Sequence, residues 1–176
     1  MKGQQFAWFI GKVVRVDDPE GLNRVKVIPY DYYNDDVAGK KVEGKYTLES
    51  LLPWSTVMMP NTLASYKGTG GNHQLVIDSW VVGFFRDAPA CQDAIIMGSL
   101  ASMTEGSEDI PKGADEFNKI YTTASGHTLH ISNKEGGESI LIKHGKHPSK
   151  CCIEMTPDGN INIKGGVVSI NGKPQT

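Results

Sequence analysis

Long apolar runs are missing from this 176-residue chain. No stretch reaches the roughly 18 residues a membrane-spanning helix needs. The opening residues, Met1-Lys2-Gly3-Gln4-Gln5, have no apolar core of a secretory signal, so the expectation is a protein made and kept soluble in a cytoplasm. Cysteine is scarce: Cys91 stands alone and Cys151-Cys152 are adjacent, which is neither a disulfide framework nor a zinc spacing. Neighbouring strand residues point to opposite faces, so at least one of Cys151 and Cys152 is expected to pack as a small hydrophobe. Charge of either sign is unremarkable, with 18 basic and 20 acidic residues, a net of −2, and no basic cluster beyond Lys40-Lys41. A nucleic-acid partner is therefore not expected.

Catalytic signatures are missing as well. No Gly-x-Ser-x-Gly elbow occurs. Gly68-Thr69-Gly70-Gly71 has the glycines of a phosphate loop but no following Gly-Lys-Ser/Thr and no helix to supply a dipole. Asp17/Asp18 and Asp35/Asp36 sit in turn-like segments with nothing around them to build a cleft. The reading is a non-enzyme with no cofactor.

What the chain does have is strand patterning. Ala7 to Val16 is long and β-rich, and Gly11 within it suggests a bulge or a sharp coil. Asp17-Asp18-Pro19-Glu20-Gly21 is a turn, and Arg24 to Pro29 alternates basic with apolar residues as a half-buried strand does. The two runs make a hairpin. Leu51 to Pro60 is apolar between prolines, Ser65 to His73 is a loop, and Ser79 to Arg86 and Ala94 to Leu100 are further strands. Four to six strands without an amphipathic helix predict a small closed barrel or sandwich. Its expected core is Leu22, Val25, Val27, Trp80, Val82, Phe84 and Ile96. Residues 101–120 are polar and acidic and read as a linker.

From Gly126 to Gly172 the apolar residues fall in pairs two apart: Leu129/Ile131, Ile140/Ile142, Ile153/Met155, Ile161/Ile163 and Val168/Ile170. Breaks such as Asn133 to Gly137 and Pro157-Asp158-Gly159 separate them. One copy of this ladder has no second layer to bury those pairs, so it reads as one strand of an intertwined oligomer with the ten paired residues at its axis. His127/His130 and His144/His147 repeat an i, i+3 spacing. On a strand each pair faces opposite ways and cannot chelate one ion within a chain. No metal is expected, and His127 and His144, inward by parity, are the only candidates for an ion on an oligomer axis.

The order of elements carries a resemblance. Phe9-Ile10-Gly11-Lys12-Val13-Val14, Asp17-Asp18-Pro19, Gly21 to Val27, Leu52-Pro53-Trp54, Gly68 to Gly71, Trp80 to Phe85 and Ile95 to Leu100 resemble, in sequence, the OB-fold domain of contractile-tail central spikes. Those are the phage baseplate spikes and their type VI secretion and tailocin relatives. The resemblance implies an all-β chain: an OB-fold barrel over residues 1–100, a linker over 101–120 and a short trimeric β-helix over 121–176. It implies a homotrimer that docks on a baseplate hub in the virion tail and punctures the target outer membrane. Candidate hub contacts are Asp35, Asp36, Lys40, Lys41, Tyr66 and Lys67. Some relatives carry a lysozyme domain, for which the gap between Leu100 and Tyr121 leaves no room. Others end in a His-x-His metal apex, whereas Val167 to Thr176 has no histidine, so a separate PAAR-type tip protein is expected. The alternative from another class is an OB-fold module binding an oligonucleotide or oligosaccharide through Tyr30, Tyr32, Tyr33, Trp54 and Tyr66. A small hydrolase is the remaining alternative.

Overall fold

The computed structural model describes residues 7–30, 32, 41–42, 45–46, 49–104, 106–170 and 173–175. Every regular element among them is a strand. The chain divides into two compact units, Met1–Ser102 and Met103–Thr176.

The first unit contains β1 (Ala7–Arg15), β2 (Val25–Pro29), the two-residue strands β3 (Lys41–Val42) and β4 (Lys45–Tyr46), β5 (Trp54–Val57), β6 (Trp80–Phe85) and β7 (Ala94–Leu100). Five of these close into a barrel in the order β1-β2-β5-β7-β6. All neighbours are antiparallel except β5 and β7. This is the expected small OB-type barrel.

The hairpin from β1 to β2 is held by one carboxylate. Asp18 accepts hydrogen bonds from the backbone N–H groups of Glu20, Leu22 and Arg24. It also accepts from Arg24 Nε at 2.9 Å and Nη2 at 2.8 Å, a bidentate fork. The hydrogen bonds from the Arg24 side chain hold the Asp18 carboxyl well below the usual carboxylate range, partly against its burial.

The barrel interior is filled by Phe9, Val13, Val25, Val27, Val81, Phe85, Ala94 and Ile96. The Phe9 and Phe85 rings lie 4.8 Å apart. Three expected core residues point the other way: on β6 it is Val81, Gly83 and Phe85 that face inward, while Trp80, Val82 and Phe84 face outward. Trp-Val-Val-Gly-Phe-Phe is apolar at nearly every position, so its pattern carries no parity. Space decides instead. A Cβ on Gly83 would come within 2.5 Å of the Ile95 carbonyl oxygen and 2.7 Å of Phe9 Cζ, so only glycine fits on the inner side there. Leu22, also expected inside, lies exposed in the turn.

Gly11 is likewise a close-approach residue and not the bulge. A Cβ there would lie 2.6 Å from both the Ile28 carbonyl oxygen and Val27 Cγ1. The register shift of β1 falls later, between Val13 and Arg15, where Val13 and Val14 are both buried.

The second unit begins with a small hairpin, β8 (Met103–Thr104) and β9 (Ser107–Glu108). It continues through β10 (Asn118–Thr122), β11 (Thr128–Ser132), β12 (Ser139–Lys143), β13 (Cys152–Met155) and β14 (Ile161–Lys164), and ends in β15 (Val168–Ile170) and β16 (Lys173–Gln175). The stretch expected as linker thus holds a hairpin and the start of a strand. Strands β10 to β14 form one antiparallel sheet in sequence order, and β15 pairs with β16 alone. Of the five apolar pairs, Val168/Ile170 is therefore outside the sheet. Within one chain the ladder is a meander rather than a β-helical coil.

Tight turns hold the register. Gly126 and Gly159 adopt positive φ, at 83° and 78°, and their N–H groups close turns onto Thr123 and Thr156. The Thr123 and Thr156 hydroxyls accept the N–H groups of His127 and Asn160.

Two outcomes follow for the barrel. Gly83→Ala is expected to lower its stability by about 1 to 3 kcal/mol through overpacking, read from the denaturant midpoint. Asp18, whose folded pKa is depressed, contributes stability that is present above its unfolded pKa of roughly 3.9 and is lost as pH falls below it. Asp18→Asn should therefore unfold at lower urea than wild type at pH 7, with the gap closing on acidification; a gap of constant size would count against this role.

Candidate functional site

Pairing in the β10–β14 sheet fixes which side chains share a face. One cross-strand row reads Tyr121, Leu129, Ile142, Ile153, Ile163, and the next reads Lys119, Ile131, Ile140, Met155, Ile161. Residues two apart on a strand point the same way, so both rows lie on one face. Neighbours along each row are the cross-strand pairs that add roughly 0.2 to 1 kcal/mol each.

The opposite face is mixed, with Ile120, His130, Leu141, Glu154 and Asn162 along one row and Thr128, Lys143, Cys152 and Lys164 along another. On β12 and β13 the polar-face residues are half-buried, whereas Ile140, Ile142, Ile153 and Met155 are exposed. Ile142 is 50 % exposed, Ile163 56 % and Ile161 63 %. The hydrophobic face of this sheet is its bare one, which marks an interaction surface.

Eight of the ten residues expected at an oligomer axis therefore occupy a single face. Two contributors escaped sequence reading: Tyr121 and Lys119, on β10. Asn-Lys-Ile-Tyr-Thr has only one aliphatic residue and lies across the end of an acidic, polar stretch, so no alternation stood out.

A second surface lies on the outside of the barrel. Trp8, Ile10 and Lys12 of β1 pair with Phe84, Val82 and Trp80 of β6. Trp8 packs on Phe84 at 5.4 Å, and Tyr30 stacks on Trp80 at 5.3 Å with Lys12 Nζ 5.7 Å from the Trp80 ring. The Tyr32 hydroxyl donates to the Trp8 carbonyl at 3.0 Å. Between them runs a groove of about 470 Å³ lined by Trp8, Phe9, Ile10, Tyr30, Tyr32 and Val82. Trp8 remains 55 % exposed.

A chain with these two architectures in this order matches a known family over most of its length. The family model of the N-terminal OB domain of Gp5, the phage baseplate spike protein, matches residues 36–164. The chain belongs to the Gp5 OB-domain family. The match takes in barrel strands β5 to β7 and the whole β10–β14 sheet. It makes the chain a component of a phage-type baseplate spike. No curated protein sequence matches.

In this Gp5-family chain the loop residues expected to meet a hub divide. Asp35, Asp36 and Lys40 lie outside the described residues, and Lys41 pairs with Tyr46 between β3 and β4. Tyr66 is 66 % exposed, with Lys67 Nζ 5.3 Å from its ring. Trp54, expected as a base-stacking residue in the alternative reading, is surrounded by Arg15, Arg24 and Lys26 at 5.3 to 5.8 Å. Arg15 is held by Asp17 and Arg24 by Asp18 and Glu20. Lys26 is buried, donates to the Glu49 and Ser50 carbonyls, and has its pKa lowered by that burial. These cations are committed internally, which weighs against a polyanion groove at this point.

His127 and His144, the candidates for an ion on an oligomer axis, lie on the same face parity as the apolar rows. Their rings sit 4.6 Å apart within one chain. His130 is on the other face, its Nε2 2.8 Å from Asn118 Oδ1.

Proposed function

We propose that the chain is the central spike subunit of a contractile injection apparatus, a homotrimer whose barrel docks on a baseplate hub and whose β-sheet part forms the puncturing needle. The single observation that carries this reading is the bare apolar face of the β10–β14 sheet. A lone sheet presenting Leu129, Ile131, Ile140, Ile142, Ile153, Met155, Ile161 and Ile163 to water is unfavourable. Covering each returns on the order of 1 kcal/mol, half the value for full burial.

Membership of the spike family supports the occupant: two further copies of the same face, closed about a threefold axis. Three meanders brought together this way bury their apolar rows and leave Lys143, Glu154 and Lys164 on the outside. An intertwined β-helix then arises from the assembly, its backbone groups satisfied between chains. The working property is stiffness under axial load, not catalysis. A PAAR-type tip protein and, transiently, a target outer membrane complete the partners.

The barrel's outer aromatic face is the proposed hub contact. Exposed aromatics grouped around a groove are what protein interfaces use as anchors, and Trp8 is the central one.

Purified protein is expected to sediment as three 19.2 kDa chains. Ile142→Asp places three like charges at the axis and should convert it to monomer. A wild-type monomer, or an Ile142→Asp trimer, overturns the assignment. Trp8→Arg should leave the trimer intact and weaken capture by the cognate hub at least tenfold; undiminished capture would move the contact away from this face.

A further inference from the structure

We infer that the two lateral edges of the β10–β14 sheet are complementary halves of one interface, with the basic edge of one copy seated against the acidic edge of the next. This pairing rests on the trimer reading and adds what that reading leaves open: which edges meet, and in which rotational sense.

The meander sorts its connections onto two sides. Strands β10 to β14 run antiparallel in sequence order, so segments 123–127 and 144–151 and the end of β14 emerge at one edge. Segments 113–117, 133–138 and 156–160 emerge at the other.

Charge is sorted with them. The first edge carries Lys143, Lys146, Lys150 and Lys164, and no aspartate or glutamate occurs in 122–128, 143–152 or 164–166. His127, His144 and His147 gather at this edge too, with successive ring centres 4.6 Å and 5.6 Å apart. The second edge carries Asp115, Glu116, Glu135, Glu138 and Asp158, against Lys119 and Lys134. The whole chain is nearly balanced, at 18 basic and 20 acidic residues, so the separation comes from the topology and not from the charge total.

These charges are not spent within the chain. Among the described residues no ion pair involves a side chain of either edge. Asp115 is committed locally, accepting the Phe117 and Asn118 N–H groups. Lys146, Lys150, Glu116, Glu135, Glu138 and Asp158 are exposed.

The basic edge is also held in shape. The Lys150 and Cys151 N–H groups both donate to the His147 carbonyl, so residues 147–151 form a turn. Gly145 lies tight against the neighbouring turn, where a Cβ would collide with the Ser125 carbonyl oxygen. The Gly145 N–H donates to His127 Nδ1 at 3.3 Å, a second tie between the two segments.

Heights along the sheet fit the pairing. Adjacent strands lie about 4.8 Å apart, so connections on opposite edges alternate at that step. Segment 144–151 is the longest of them, and it falls one step from 133–138 on one side and one step from 156–160 on the other. Rotation about an axis along the apolar rows keeps each strand at its own height. Lys146 and Lys150 of one copy then come level with the interval between Glu135 and Glu138 on one side and Asp158 on the other, all of the next copy.

The asymmetry selects the kind of contact. Side-by-side twofold pairing sets like edge against like edge, whereas a heterologous contact joins unlike edges and closes into a ring. Exposed ion pairs add only about 0 to 1 kcal/mol each. Their part is orientation and rejection of the like-edge arrangement, while the apolar rows supply the association.

The test uses the full chain. A strand of five residues spans about 17 Å, so a zero-length carbodiimide linkage between the two edges has to join two copies. The expected result is a covalent trimer whose peptide map links Lys146 or Lys150 to Glu135, Glu138 or Asp158. Lys146→Glu with Lys150→Glu should weaken trimer association at least tenfold at low salt, as should Glu135→Lys with Glu138→Lys. The chain with all four substitutions should recover to within about threefold of wild type, and about 1 M salt should narrow the differences. A wild-type monomer overturns this pairing together with the trimer reading. A wild-type trimer that either reversed pair leaves unaffected, that the fourfold variant fails to rescue, or whose linkages avoid these residues overturns the edge pairing alone.

Discussion

An antiparallel sheet one layer thick has two faces, and water suits only a polar one. In the β10–β14 meander eight apolar residues share a face against which none of the described residues of the sheet packs, while on β12 and β13 the opposite face, with Leu141, Lys143, Cys152 and Glu154, is the less exposed. Cross-strand pairing and tight turns hold each strand in register, so the sheet has no internal way to hide those rows. A one-residue slip would move every aliphatic side chain to the other face, and the Thr123 and Thr156 turns resist such a slip. The sheet thus leaves its apolar rows for another surface to cover, which is what the proposed needle of identical chains would do.

The barrel solves the same problem differently. By closing on itself it buries Phe9, Val13, Val25, Val27, Val81, Phe85 and Ile96 without help. Closure brings backbones so near that glycine is required at 11 and 83. That inner crowding pushes the remaining bulk of β1 and β6 outward, where Trp8, Trp80 and Phe84 gather with Tyr30 and Tyr32. The aromatic outer face and the two interior glycines are thus consequences of one packing constraint. An OB-type barrel need not carry such a face to fold, which is why its exposure is informative about partners.

Much of this was legible in the residues. Period-two pairs between Leu129 and Ile163 marked β11 to β14 and their common face, and the glycine-bearing turns between them marked the hairpins. The order of the barrel strands was likewise readable from runs broken by Asp-Pro, Pro-Trp and glycine. Where every position is apolar, as in Trp80 to Phe85, alternation vanishes and the sequence does not say which face is core. Where apolar residues are sparse, as in β10, the strand leaves no period to read. His144 and His147 were separated by a rule valid only within strands, and the turn at 147–151 breaks it.

By itself, the chain's alternation of apolar and polar residues determined that the protein is strand-rich, that a barrel or sandwich is followed by a ladder, and that the ladder's paired apolar residues belong together. Those are properties of neighbours two apart, and a local period records them. Which side of β6 faces the barrel, which aromatics stay in water, and how His127, His144 and Cys151 come to share one edge were decided only by tertiary structure. Each depends on close approach between segments distant in sequence, where the room left beside a glycine or the path of a turn sets the outcome.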